Sequence, residues 1–130
     1  MKTTLTNPFS WTVNPVNVEN NHLIAVYTNG RIQWVSAQDI THLEGEGNYT
    51  FIHTRQGKKH LVSKTLRVVM EILRADFIRV HKSFIVNPVY ITAQLESDKL
   101  LLSCGRKVPI ARRRVREIQD LLAGEYLIAS

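Results

Sequence analysis

The chain has 130 residues, of which 44% are hydrophobic and 22% charged, so it can bury the core of one domain. Its single cysteine excludes an intrachain disulfide, and no apolar run approaches the ~20 residues needed to cross a bilayer. The amino terminus also lacks the apolar core of a signal peptide, so we expect a cytoplasmic protein. The net charge of +6 favours an anionic partner.

The positive charge is concentrated in the second part of the chain. Residues 1–50 carry two basic and four acidic side chains, whereas residues 51–130 carry fifteen basic and seven acidic ones. The stretch from Arg106 to Arg116 holds six cations and no anion. Such a stretch repels itself unless a polyanion neutralises it, which favours a nucleic-acid partner over solubility alone as its explanation.

In chain order, the first 20 residues are rich in Asn, Thr and Pro and predict a tail or arm that needs a partner surface to become ordered. Residues 21–123 predict one domain, followed by a C-terminal tail over residues 124–130. HLIAVYT and RIQWVS flank Asn29-Gly30, a pair suited to a type I′ hairpin turn. The segments DITHLE, YTFIHT and KKHLVS then predict further strands, separated by glycine-containing turns.

A helix is predicted next, because apolar residues recur at i, i+3, i+4 and i+7: Leu66, Val69, Met70 and Leu73. Ser63 or Thr65 can cap its first turn. Strands resume with FIRVH, FIVN, VYITAQL, KLLLSC and KVPI, and a last helix is expected from about Ala111 to Leu122. The pattern therefore predicts a mainly β fold of about ten short strands with short α-helices.

Three arginines lie at the start of the last predicted helix and off its apolar face: Arg112, Arg113 and Arg116. A helix start carries partial positive charge and prefers anions, so cations there are unfavourable in the free protein. A phosphate or a base edge would complete such a site.

The segment FIRVHKSFIVNP alternates polar and apolar residues. In an extended chain Arg79, His81 and Ser83 share one face, and Lys82 lies at the tip between two strands. A cation, an imidazole and a hydroxyl that project together can hold a phosphate and read a base edge. His81 could equally orient the loop, and Arg79 could pair with a nearby carboxylate.

FIRVHKSFIVN resembles the F-x-R-x-H-[KR]-S-[FY]-[IL]-V-N signature of the LytTR DNA-binding domain of bacterial transcription regulators. Three further segments are similar to the family in order and spacing: DITHLEGEGNYTFIHT, SKTLRVVMEIL and KVPIARRR. The resemblance covers about residues 22–122. It implies an elongated arrangement of antiparallel β-sheets, with loops inserted into successive major grooves of duplex DNA.

Together, the charge pattern and the resemblance give ten candidate DNA-binding residues: Arg113, Lys82, Arg79, Ser83, Arg112, Arg114, His81, Asn48, Tyr49 and Arg116. By resemblance, Arg113 matches a base-contacting arginine, and Arg112 and Arg114 flank it to hold the DNA backbone. Lys82 falls where the family contacts a base or a phosphate, and the Gly-Asn-Tyr turn corresponds to a third contacting loop. Ala111 stands where many members have serine, so a hydroxyl that could cap the helix or contact phosphate is lost.

The resemblance also implies a partner, double-stranded DNA with paired half-sites, which a homodimer on DNA could occupy. Family members are often fused to a receiver domain, and the residues before this domain are too few for one, so we expect a stand-alone regulator. The signalling partner is not indicated.

The alternative is an RNA-binding module, which would stack bases on Tyr49, Phe51 and Tyr90, although the strand pattern turns them toward the core. An enzyme is not expected, because no activating carboxylate stands beside Ser83 or Cys104. No cofactor or metal motif is present either. Cys104 is expected in the core or at its rim, and Trp11 and Trp34 are expected to be packing residues.

Overall fold

The computed structural model describes residues 22–129, with side chains through residue 124, so the predicted arm with Trp11 lies outside the described residues. The strands are β1 (Leu23–Thr28), β2 (Arg31–Ser36), β3 (Ile40–Glu46), β4 (Tyr49–Thr54), β5 (Lys59–Val62), β6 (Ile78–His81), β7 (Phe84–Val86), β8 (Ile91–Leu95), β9 (Lys99–Leu102) and β10 (Lys107–Pro109). The helices are α1 (Leu66–Leu73) and α2 (Val115–Ala129). These described elements confirm a mainly β fold with short helices.

Strands β1 and β2 form a separate antiparallel hairpin. Asn29 and Gly30 both have positive φ, 53° and 77°, which confirms the predicted turn. Trp34 is 63% exposed, so the expectation that it is a packing residue is wrong. It pairs with Ala25 on the outer face, because the register turns its neighbour Val35 into the core.

The five-stranded antiparallel sheet has the order β5-β4-β3-β7-β6. The hairpin and α1 cover one of its faces and enclose the first core, whose largest fully buried members are Ile24, Ile40, Leu43, Ile52 and Leu73. The Thr65 hydroxyl accepts a hydrogen bond from the Val68 amide at 3.3 Å, which confirms it as the cap of α1. Gly45 lets α1 approach, since a Cβ there would lie 2.8 Å from Leu66 Cδ1.

A three-stranded antiparallel sheet, β10-β9-β8, covers the opposite face together with α2. The second core contains the following buried side chains: Val80, Phe84, Val86, Leu100, Leu102, Val108, Ile110 and Ile118. α2 begins and ends later than the predicted helix from Ala111 to Leu122. No helix within residues 22–129 is long and apolar enough to cross a membrane.

Two residues in the loops between the layers, Cys104 and Asn87, lie in surroundings that the sequence did not predict. Cys104 is exposed in the turn between β9 and β10 rather than in the core. Asn87, the last residue of the segment FIRVHKSFIVN, is buried, and its side chain joins two elements. Its Nδ2 donates to the Ile40 carbonyl at 2.9 Å, while its Oδ1 accepts from the Val89 amide at 3.2 Å. The end of β7 is thereby fixed to the start of β3.

Candidate nucleic-acid interface

The β6–β7 loop (residues 81–83) follows a β-bulge that the sequence did not predict. Arg79 pairs with Ile85 and His81 pairs with Phe84, with a register shift between the two pairs. Directly opposed residues share a face, so Arg79 lies on the Ile85 side of the sheet and His81 on the Phe84 side. The expectation of one shared face for Arg79 and His81 is therefore wrong, because a bulge places one extra residue, Val80, in β6.

Backbone carbonyls and amides of this loop are held by neighbouring side chains. Arg79 Nε donates to the His81 carbonyl at 3.1 Å, and Arg79 Nη2 donates to the Lys82 carbonyl at 2.6 Å. His81 Nδ1 accepts from the Ser83 amide at 3.1 Å. This contact leaves the imidazole hydrogen on Nε2, where it can be donated to an anion. The Lys82 side chain is exposed at the tip.

Two backbone hydrogen bonds bring three distant segments together. The Gly45 amide donates to the Ser83 carbonyl at 2.8 Å, and the Ala111 amide donates to the Val80 carbonyl at 2.8 Å. The first contact places the β3–β4 turn next to the β6–β7 loop. The second places the arginines that follow Ala111 beside the same loop. The structure thus joins all three of the segments that the sequence singled out.

In the β3–β4 turn, Glu46 pairs with Tyr49 across residues 47 and 48. Gly47 has a φ of 62°, a conformation that a glycine adopts without strain. Asn48 is exposed, and Tyr49 is 49% exposed, so the expectation that Tyr49 faces the core is wrong. Tyr49 is the first residue of β4, at the end of the strand. Both side chains are available to a ligand.

The arginine run forms a 3₁₀ turn, Arg112–Arg114, ahead of α2 rather than the first turn of the α-helix itself. Ala111 precedes this turn and provides no side-chain cap. Arg112 and Arg113 are exposed. Arg114 is half-buried, and its Nη1 donates to Glu117 Oε1 at 3.3 Å. The i, i+3 spacing of that pair was a signal that the sequence reasoning missed.

The cations of the three segments differ in their pairing. Within residues 22–124, six of them have no carboxylate within 4.0 Å: Arg79, Lys82, Lys107, Arg112, Arg113 and Arg116. Arg106, which belongs to the same six-cation stretch, is engaged internally. Its Nη2 lies 3.6 Å from Glu44 Oε2, and its guanidinium lies 5.6 Å from the centroid of the Phe84 ring. Most cations of the loop and of the arginine run are therefore without a carboxylate partner among the described residues.

A pair of stacked histidines on β3 and β4 was not predicted. The rings of His42 and His53 stack with centroids 4.0 Å apart, and His53 Nε2 contacts Glu44 Oε1 at 3.1 Å. Burial lowers the pKa of His42 to about 3, and the charges of His53 and Arg106 act in the same direction. Burial also lowers the pKa of His53, against the opposing effect of Glu44. His42 is therefore a neutral packing residue at ordinary pH. No group of metal-ligating side chains occurs among the described residues.

Sequence comparisons identify similar proteins. The sequence model of the LytTr DNA-binding domain matches residues 30–123. The chain is 32% identical over 106 residues to the sensory transduction protein LytT of Bacillus subtilis (strain 168). The aligned region covers 78% of this chain and 44% of LytT. It is 30% identical over 96 residues to the CO-responsive transcriptional regulator RcoM of Rhodospirillum rubrum, covering 70% of this chain and 41% of RcoM. The chain thus spans less than half the length of these curated relatives.

The fold is also found in a solved structure. The LytTr DNA-binding domain of a protein described as a methyl-accepting/DNA response regulator from Bacillus cereus matches with a TM-score of 0.66 at 24% identity. The match covers 78% of this chain and 96% of that domain. The two chains share their arrangement of antiparallel sheets and short helices.

Proposed function

Because this chain belongs to the LytTR family of DNA-binding domains, we propose that it binds duplex DNA sequence-specifically as part of a transcription regulator. The observation that carries the proposal is the convergence of three segments through the Gly45–Ser83 and Ala111–Val80 hydrogen bonds. In the described part of the chain, this convergence gathers cations that no carboxylate neutralises. Phosphates of a duplex supply the missing charge and release counterions on binding.

We infer that loops, rather than a recognition helix, enter successive major grooves. α2 buries Ile118 in the second core, and the run Arg112–Arg114 lies in the turn before the helix begins. The β6–β7 loop and the β3–β4 turn extend from the ends of their strands, and a major groove of about 12 Å width admits such elements. The arginine run, next to the β6–β7 loop, completes the surface.

The proposed contacts divide into base readers and backbone holders. Arg113 is the base reader, because an exposed guanidinium can donate two hydrogen bonds to O6 and N7 of guanine. Lys82 reads a base or holds a phosphate from the loop tip. The amide of Asn48 suits adenine. The remaining candidates hold the DNA backbone or the loops that contact it: Arg112, Arg114, Arg116, Ser83, His81, Tyr49 and Arg79.

Selection of bound duplexes from a random pool, followed by anisotropy titrations of the selected site, tests the proposal. We expect the selected duplex to bind much more tightly than a scrambled duplex or either single strand. If ~5–7 phosphates are neutralised, log affinity falls against log salt with a slope of about −5 to −6. Equal affinity for selected and scrambled duplexes, or an affinity independent of salt, would contradict the proposal.

We further propose that the selected DNA contains paired half-sites about one helical turn apart, occupied by two copies of the chain. Sedimentation of the complex measures the stoichiometry directly. Two copies on the paired site and one on a single half-site are the expected result. One copy on both duplexes would contradict this arrangement.

A further inference from the structure

The guanidinium of Arg79 is turned onto the backbone of the loop that follows it. Nε donates to the His81 carbonyl at 3.1 Å and Nη2 to the Lys82 carbonyl at 2.6 Å. The two acceptors belong to consecutive residues at the loop tip. A planar guanidinium, whose donors are fixed relative to each other, can engage both carbonyls at once, whereas an ammonium group is a single point charge.

The turn that Arg79 contacts differs from the turns that antiparallel strands favour. Among the described residues with positive φ, neither Lys82 nor Ser83 appears. Two-residue hairpin turns that match strand twist require a positive φ at one or both positions, as Asn29 and Gly30 show in the β1–β2 hairpin. The β6–β7 turn lacks that conformation and follows a bulge, and the hydrogen bonds from Arg79 add to those of the strand ladder in fixing its path.

The carbonyl of Val80, at the bulge, accepts from the Ala111 amide at 2.8 Å. The Ser83 carbonyl accepts from the Gly45 amide at the same distance. Between these two fixed points, the carbonyls of His81 and Lys82 are held by Arg79. Arg79 therefore completes a row of four supported carbonyls that defines the path of the loop.

We propose that Arg79 is a positioning residue for the β6–β7 loop, holding Lys82 and Ser83 in the conformation that meets DNA, rather than a residue that neutralises a phosphate. The inference rests on the proposed DNA binding and deepens it by separating the residue that shapes the loop from the residues that touch the duplex. Charge alone does not serve this role. Arg79→Lys keeps the positive charge but removes the planar guanidinium that donates to both carbonyls.

Hydrogen exchange in the free protein tests the positioning role without DNA. We compare wild type with Arg79→Lys and Arg79→Ala, and we use Arg67→Lys as the matched control. Arg67 is an exposed arginine on α1 that contacts Glu71 and lies outside the proposed DNA surface. Both substitutions of Arg79 are expected to accelerate exchange of the Ser83 amide, which donates to His81 Nδ1, by about tenfold, the scale of one lost hydrogen bond. Unchanged exchange in both variants would overturn the proposal.

DNA affinity provides the second measurement, as a double-mutant cycle between Arg79→Lys and Lys82→Ala on the selected duplex. We expect Arg79→Lys to weaken binding about as much as Lys82→Ala. The dissociation constant of the double variant should lie within about twofold of that of the single variant that binds less tightly, because both changes act through the same loop. Wild-type affinity in Arg79→Lys, or fully additive losses, would show a direct charge contact and overturn the positioning role.

The two measurements separate this inference from the function on which it rests. If the wild type binds no duplex, the proposed function fails, while hydrogen exchange still decides whether Arg79 holds the loop. If the wild type binds and Arg79→Lys leaves both exchange and affinity unchanged, only the positioning role fails. Thermal unfolding of each variant confirms that it is folded at the temperature of the titrations.

Discussion

The amide of Ala111 donates a 2.8 Å hydrogen bond to the carbonyl of Val80. Val80 is the extra residue of a β-bulge, so its carbonyl is free of the strand ladder and available to a partner from another layer. The contact fixes the start of the arginine run against the β6–β7 loop. A bulge in one strand thus sets the distance between two candidate DNA-binding segments.

Serine at position 111 should stabilise the protein. Ala111 precedes the 3₁₀ turn with extended φ and ψ and offers no side-chain acceptor to the amides that follow. A serine hydroxyl would supply that acceptor, so we expect Ala111→Ser to raise the free energy of unfolding by ~0.5–2 kcal/mol in urea denaturation. Ala123→Ser, at an exposed position within α2, is the control and should lower stability slightly. Equal effects at both positions would contradict the capping argument.

Loss of Arg113 should change sequence preference as well as affinity. We expect Arg113→Ala to cost ~1–3 kcal/mol on the selected duplex and to relax the preference at one base position. The control is Arg116→Ala, which should weaken binding uniformly across sequences and reduce the salt slope by about 1. Titration of single-base variants of the duplex distinguishes the two patterns. A uniform loss with Arg113→Ala would assign it to a phosphate instead.

Acid should destabilise the fold through His42. Its pKa is held at about 3 by burial, below the 6.5 of an ordinary histidine, so the unfolded chain binds more protons between these values. The stability contributed by the neutral ring is fully present above pH 6.5 and is lost toward pH 3, at about 1.4 kcal/mol per pH unit. Burial also lowers the pKa values of His53 and His60, which adds to the loss in the same direction.

His42→Phe tests this explanation because it keeps a ring against His53 and removes the proton site. It also removes Nε2, which is buried without a hydrogen-bond partner among the described residues. Urea denaturation of both proteins at several pH values gives the comparison. Near pH 8, we expect the free energies of unfolding of the two proteins to differ by an amount that does not depend on pH. Below pH 6.5, we expect the free energy of unfolding to fall less steeply with falling pH in the variant than in the wild type. Parallel curves would assign the acid sensitivity to other groups.

A methyl group at Gly45 should disturb the first core. The added Cβ would lie 2.8 Å from Leu66 Cδ1 and 2.9 Å from Leu66 Cγ, so the Leu66 side chain or α1 itself must shift. Overpacking of this kind costs ~1–3 kcal/mol, and we expect that loss for Gly45→Ala in urea denaturation. Paired with Leu66→Ala, the change should cost at least ~0.5 kcal/mol less than alone, because the clash is removed. Additive losses would show that the two side chains do not meet.

Local chemistry let the sequence alone determine most of the secondary structure. The positive φ at Asn29 and Gly30 and the cap at Thr65 depend on neighbours a few residues away, so the pattern predicted both. The same holds for the apolar stripe of α1. The ordered motifs also indicated the family and the three candidate segments, because family signatures are read along the chain.

Tertiary structure decided which side chains are exposed and which segments meet. Trp34 and Tyr49 alternate as core residues would, yet both are exposed, because a strand face is buried only where another layer covers it. The bulge at Val80 and the turn of Arg79 onto its own loop arise within the β6–β7 hairpin, where the regular alternation along the chain gave no sign of an extra residue. The sequence therefore identified the arginine run and the β6–β7 loop as candidate segments. Only the hydrogen bonds between segments distant in the chain showed that the two lie side by side.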